Sequence, residues 1–435
     1  LNSVYPQGRR DVIKVATAGV IGTTIEWYDF NIAATASTLV WPSIFFPSSN
    51  PASGIILSLL TLSAGFISRP VGAILFGHFG DKVGRKTTLI WTLLTMGLGT
   101  LGTGLVPPYD VIGIWSGVLL AIFRTLQGIG VGGEYGGAVT WVLEFSSRSK
   151  YRAFWTGWVQ QGSPIALVLV NLSFYLLTSS LTRLDFLSWG WRIPFYIGAA
   201  IIVLGIVVRY KLMESPIFKE ILERRAIERI PISGLLRNQW KTVILLAISW
   251  WYLIMFYYVI TAFSINYIKL VNPSLPTYVG PLSIVIGGVL AIIGVFFGSI
   301  MGDKIGRRKT MFSSSIISAV LCYPYIILLS SGSTTLIILA QSLILFITYI
   351  GYGSVGAFFS EQFPTKYRFT GTGFSYHLAA PFSGGLAPII ASLFVYNYGS
   401  LGSTPYIALL TIIYCITSAI AIYLLKETVK IAISH

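Results

Sequence analysis

Six ionisable side chains lie deep within the long apolar runs of this sequence: Glu26 and Asp29 in one, Arg69 in the next, Arg124 and Glu134 together, and His377 in a late run. A charge at the centre of a bilayer is costly, so such groups face a polar cavity and pair with one another. Glu26 and Asp29 are three residues apart on one helix face, where mutual repulsion favours a proton retained on one carboxyl. At about 1.5 Å per helical residue, Asp29 lies about 22 Å from Lys14 and Arg124 about 21 Å from Asp110, near the middle of their own runs. An acid and a base at one depth can pass a proton and hold or release an anionic group. The same pair can also do no more than lock two helices together. Arg69, about 18 Å from Asp81, and Glu134, about 15 Å from Glu144, match in depth as well and read as a structural pair.

Other chemistry finds no support. Three histidines and two cysteines form no metal-ligand cluster, and no HExxH, Gly-x-Ser-x-Gly or Walker loop occurs. No catalytic or metal-binding residue is assigned, no enzyme is read and no cofactor is expected. Gly128-x-Gly130-x-x-Gly133 has dinucleotide-fingerprint spacing but lies inside an apolar helix. Gly128, Gly132 and Gly136 instead recur every four residues and let another helix approach closely.

The elements that position these groups are membrane helices. Of 435 residues, 54% are hydrophobic and 10% charged, with mean hydropathy +0.75, too apolar for a surface in water. Hydrocarbon about 30 Å thick takes roughly 20 helical residues to cross. Runs at 12–40, 53–79, 88–106, 111–143, 153–178, 190–208, 241–268, 278–301, 311–329, 335–360, 370–395 and 404–425 therefore predict an all-α membrane protein of about twelve spans. The first run is longer than a signal-peptide core and contains acids, so it reads as a span. Lys and Arg crowd one set of loops, from Arg9, Arg10 and Lys14 to Lys426 and Lys430. The other set holds Arg183, Arg192 and Lys269. The positive-inside rule places the crowded side, with both termini, in the cytoplasm, so the net charge of +15 is topology and not nucleic-acid binding. Cys322 and Cys415 fall inside spans and behave as small hydrophobes.

The chain repeats itself. Gly80-Asp81-Lys82-Val83-Gly84-Arg85-Lys86 follows the second run and Gly302-Asp303-Lys304-Ile305-Gly306-Arg307-Arg308 the eighth. Each turn combines glycines for tight geometry, an acid for helix-end amides and cations for the inner surface. Glu144 before Arg148 and Arg152 is echoed by Glu361 before Lys366 and Arg368. Two pseudo-symmetric six-helix bundles, 1–210 and 241–435, are expected on either side of a mixed-charge cytoplasmic linker at 211–240.

The Asp-x-x-Gly-Arg-basic turn resembles the loop signature of the major facilitator superfamily. Within it, Gly22-Thr23-Thr24-Ile25-Glu26-Trp27-Tyr28-Asp29-Phe30, Arg69-Pro70-Val71-Gly72-Ala73, Arg124-x-x-Gln127-Gly128 with Gly132-Gly133-Glu134, Glu214-Ser215-Pro216 and Glu361-x-Phe363-Pro364-Thr365-x-x-Arg368 resemble the metabolite–proton symporters across nearly the whole chain. The resemblance implies a proton-coupled importer of a small organic acid or zwitterion, a monomer in membrane lipid driven by the proton gradient without a cofactor. Asp29 then exchanges a proton, tuned by Glu26, while Arg124 toggles between Asp29 and the substrate. Gln127 joins the substrate-binding set, completed by Gln160 and Gln161 in span five, Tyr257 in an aromatic span seven, and His377. His377 stands where the family more often has Asn, and reads as ligand, titrating group or interhelical hydrogen-bonder. In this family Asp81, Arg85, Glu144 and Arg152 latch the outward-facing state. Gly80, Gly84, Lys86, Asp303, Gly306, Arg307, Glu361 and Arg368 complete the gating set. The rival readings are a drug–proton antiporter, disfavoured by Gln160-Gln161-Gly162-Ser163-Pro164 in span five, and a solute receptor, disfavoured by the lack of a signalling domain.

Overall fold

A backbone in hydrocarbon must satisfy its N–H and C=O groups within its own segment, so each apolar run closes into a helix. The computed structural model describes residues 9–48, 51–83, 85–133, 135–147, 149–211 and 231–430, and every regular element among them is helical. Span 1 is Arg9–Leu39, span 2 Pro51–Val83 and span 3 Arg85–Leu105. Spans 4 to 7 are Trp115–Phe145, Arg152–Ser180, Gly190–Val207 and Ile232–Val271; spans 8 to 10 are Val279–Ile305, Arg307–Leu329 and Thr334–Glu361; Thr365–Tyr398 and Thr404–Leu424 are spans 11 and 12. Among the described residues ten helices have the length and hydropathy of a crossing, and the polar span 1 and the shorter Ile90–Leu105 stretch of span 3 complete twelve.

The repeat seen in sequence is repeated in packing. Span 2 lies on span 4 as span 8 lies on span 10, and span 3 touches 4 and 6 as span 9 touches 10 and 12. Glycine makes the closest of these approaches possible: a Cβ on Gly128 would collide with the Gly65 carbonyl, and one on Gly298 with the Ile350 carbonyl. Gly132 lies equally tight against span 2, while Gly136 packs on Phe369 and Gly373 of span 11. Spans 5 and 8, 2 and 11, 4 and 11, 5 and 10, and 1 and 7 meet across the seam between bundles.

Helices bounding the centre are interrupted there. Span 5 is broken at Gln161, between Arg152–Gln160 and Gly162–Ser180. Span 7 restarts at Trp251 and carries a π turn at Val259–Ser264, and span 11 carries another at Pro381–Gly385. A π turn admits an extra residue and re-aims the side chains that follow, a common device at functional sites. Of the expected linker, 212–230 lies outside the described residues, and the helix leading into span 7 begins at Pro231 rather than 241.

Candidate functional site

Asp29 is fully buried in span 1, and its carboxylate accepts hydrogen bonds from the Thr100 hydroxyl of span 3 and the Gln127 amide of span 4. Gln127 also reaches the Asp29 carbonyl at 3.4 Å and Thr100 Oγ1 at 3.2 Å, so one amide ties three helices. Arg124, one turn before Gln127, is fully buried too, yet none of its three guanidinium nitrogens has a hydrogen-bond partner among the described residues. It feels the Asp29 charge without forming an ion pair with it. The Arg124 guanidinium lies 4.6 Å from the Phe30 ring centroid, and that of Arg69 lies 3.7 Å from the same ring. Arg69 Nη2 donates to Tyr258 Oη at 3.4 Å, crossing from the first bundle to the second. Two cations thus share one aromatic ring beside one acid.

The second bundle supplies an aromatic wall. Trp250 stacks on Tyr376 and Tyr352, with centroids 4.7 and 5.3 Å apart, and Tyr376 stacks on Tyr135 of span 4 at 3.5 Å. Trp27 tilts against Tyr257 at 4.7 Å. Hydroxyls knit the wall: Tyr135 Oη donates to Gln160 Oε1 at 3.2 Å, the Tyr352 and Tyr376 hydroxyls bond to each other at 3.3 Å, and Ser163 meets Tyr349 at 3.0 Å. Trp27, Ser163, Trp250, Tyr257, Tyr349 and Tyr352 help enclose a cavity of about 10 Å³, room for roughly one water. The buried Tyr257 hydroxyl lies beside the Asn31 amide, and both ring nitrogens of the buried His377 lack hydrogen-bond partners among the described residues. Unpaired polar groups so deep are expensive unless a ligand or water meets them.

The end of the bundle carrying the repeated turns is closed across the seam. Glu361 of span 10 receives Arg152 Nε of span 5 at 2.9 Å and Arg307 Nε of span 9 at 3.3 Å. Arg307 also holds Asp303 at 3.1 Å, and the Asp303 carboxylate accepts the backbone N–H groups of Ala153 and Phe154 at 2.9 and 2.8 Å. An acid on a helix N-terminus meets both orphan donors and the positive end of the helix dipole. Arg152 Nη2 further donates to the Thr428 and Val429 carbonyls at 3.3 Å, and Glu427 caps the start of span 9 through Arg307 N at 3.0 Å and Arg308 N at 3.2 Å. Gly306 has φ +111° and no room for a Cβ beside Glu427, so this turn requires glycine. Arg368 of span 11 feels the charges of Glu144, Glu361 and Arg152, and donates to the Ser360 carbonyl at 3.2 Å. At the opposite end a cavity of about 510 Å³ lies between the bundles. Among the described residues, the bundles are bridged by ion pairs and hydrogen bonds at the basic end and part around a cavity at the other.

The predicted groups sort themselves by position. Asp29, Arg124, Gln127 and Tyr257 gather at the centre, with Gln160 and His377 behind the wall. Gln161 does not: its amide donates to the Ile292 carbonyl at 3.1 Å, in a lateral cleft with Trp158 and Phe296. Glu26 is buried within electrostatic reach of Tyr135, Tyr258, Tyr352 and Tyr376, the aromatic groups that bound the centre. Glu134 and Gly84 lie outside the described residues, as do the side chains of Asp81, Arg85 and Lys86, so the Arg69–Glu134 pair and the first-half turn that follows Gly80 are not described. Thr100, Asn31, Tyr135 and Tyr352 are site residues that sequence reasoning passed over. Asn31 alone had a signal, an amide two residues past Asp29.

Comparisons with known proteins agree with this architecture. The family model described as Major Facilitator Superfamily matches residues 20–376. The inner membrane metabolite transport protein YhjE of Escherichia coli strain K12 is 38% identical, over 89% of this chain and 88% of its own. The shikimate transporter of the same organism is 31% identical, over 95% of this chain and 94% of its own. Among solved structures, the crystal structure of the D-xylose-proton symporter superposes with a TM-score of 0.74 at 16% identity, covering 96% of this chain and 99% of that one, a likeness of fold.

Proposed function

We propose, on the premise that this chain belongs to the major facilitator superfamily of membrane transporters, that it is a proton-coupled symporter importing a small organic acid or zwitterion by alternating access. The observation that carries the reading is the mismatch at the centre. Arg124 is buried with no hydrogen-bond partner among the described residues, while Asp29 beside it is occupied by two neutral donors. A buried cation without a partner is costly, and a substrate carboxylate relieves it. Proton and substrate then bind as a pair: a protonated Asp29 leaves Arg124 to the substrate, and departure of the substrate lets the Arg124 charge draw the proton off Asp29. Shikimate is a hydroxylated ring carboxylate, the kind of solute that an arginine beside an aromatic wall suits.

In this reading the basic end faces the cytoplasm with both termini, in the inner or plasma membrane. Bundles 1–210 and 241–435 rock about the centre as a monomer in lipid, with the proton gradient in place of a cofactor. The decisive measurement is uptake of labelled shikimate, citrate, succinate, proline and glycine betaine into proteoliposomes, with and without an inward proton gradient. At least one carboxylate or zwitterion should accumulate only with the gradient. Asp29→Asn should abolish that accumulation and keep counterflow exchange, whereas Arg124→Gln should lose both. Accumulation indifferent to the gradient, or unaltered by Asp29→Asn, sinks the proposal.

A further inference from the structure

The cavity of about 510 Å³ at the end opposite the latch is lined from both bundles: Thr38 and Ser43 near the end of span 1, Arg183 between spans 5 and 6, and Asn266, Lys269 and Thr277 around the turn from span 7 to span 8. Its charge is one-sided. Arg183 comes from the first bundle and Lys269 from the second, and no acid lines the cavity among the described residues. Lys269 Nζ donates to the Pro273 and Leu275 carbonyls at 2.8 Å, neutral partners, and has no carboxylate counter-ion among the described residues. Arg183 forms no ion pair among the described residues, since the neighbouring Asp185 carboxylate accepts from Thr182 Oγ1 at 2.6 Å instead. The buried Nδ2 of Asn266 is a further donor without an acceptor among the described residues.

Loops at this end hold few cations at all, Arg183, Arg192 and Lys269, so two of the three face one cavity. Like charges on opposing bundles repel as the mouth narrows, and an anion between them converts that repulsion into attraction on both sides. The field of such a mouth also gathers anions from solution.

We propose that this vestibule is an outer binding site for a small carboxylate, distinct from the Arg124 centre, and that its occupancy lets the two bundles close over the solute. The inference extends the reading of an anionic substrate, but its test is independent of Arg124.

Spin labels at the exposed positions Ser179→Cys and Ser274→Cys, with Cys322 and Cys415 replaced by Ala, report the distance across the mouth. In nanodiscs, malonate should shift the distribution toward shorter distances, and it should do so equally in an Arg124→Gln background. Choline chloride at matched ionic strength should not. Arg183→Gln and Lys269→Gln should each raise the malonate concentration for half effect by roughly tenfold, the worth of one charge-assisted contact. The double variant should close without malonate. Unchanged distances with malonate, an equal response in the double variant, or a response lost with Arg124→Gln would each overturn the outer site. The last outcome would leave the central reading standing, and failure of gradient-driven uptake would leave the vestibule result untouched.

Discussion

What holds a guanidinium in a membrane interior without a hydrogen-bonded counter-ion is, at Arg124, the face of Phe30, and the same ring serves Arg69. A desolvated cation–π contact contributes about 2 kcal/mol. Phe30→Leu keeps much of the volume and removes the quadrupole, so kcat/KM for uptake should fall by roughly tenfold or more. Phe30→Tyr should stay near wild type, because its ring still faces both cations. Equal rates for Leu and Phe would show that the ring only fills space. This contact was not legible in the sequence. The depth of Asp29 and Arg124 was, since rise per residue fixes it. Their partners were not, because choosing Thr100 and Gln127 for Asp29 over Arg124 depends on helix rotation and rotamers, which no spacing encodes.

At the scale of the helix, the legible features were those repeated along the chain. The spans announced themselves by length, and Gly128 and Gly132 by four-residue recurrence, as a backbone-to-backbone contact demands. The π turn in span 7 left no pattern, since local hydrogen-bond shifts answer to packing from neighbouring helices, whereas Pro164 beyond the break at Gln161 and Pro381 at the head of the π turn in span 11 each lack the N–H that a regular helix needs. The glycine seam offers a sharp test in the second bundle. A Cβ at Gly298 would occupy the place of the Ile350 carbonyl, whereas at Gly280 it would meet the Ile265 Cγ2 methyl at 3.1 Å, which need give by only a few tenths of an ångström. Gly298→Val must push spans 8 and 10 apart, a cost of about 3 kcal/mol. Detergent-extracted Gly298→Val should show a lower melting temperature and a broadened size-exclusion peak, and Gly280→Ala should match wild type. A wild-type melting curve for Gly298→Val would mean the helices can separate at no cost.

At the scale of the whole molecule, alternating access asks each end to open while the other holds, and among the described residues the basic end is held by buried ion pairs and hydrogen bonds across the seam. Glu361 stands between Arg152 of one bundle and Arg307 of the other, with side chains all but excluded from solvent. Removing one member of such a buried set leaves the others uncompensated, at roughly 3–5 kcal/mol. Opening the seam lets water reach both arginines, so the loss falls on the closed state and not on the open one. Glu361→Gln should therefore raise the population open at the basic end, where Thr156 of span 5 is buried in the closed seam. With Cys322 and Cys415 replaced by Ala, a Thr156→Cys reporter should react with a charged thiol reagent at least about tenfold faster in Glu361→Gln, since each 1.4 kcal/mol of bias is about tenfold in population. Asp303→Asn should accelerate it less, because its amide oxygen still accepts one of the Ala153 and Phe154 N–H groups. If both variants react at the reference rate, these carboxylates orient the helices without latching them, and closure of that end rests on other contacts, among them the packing of span 5 on spans 8 and 10 and the Arg152 bonds to the Thr428 and Val429 carbonyls.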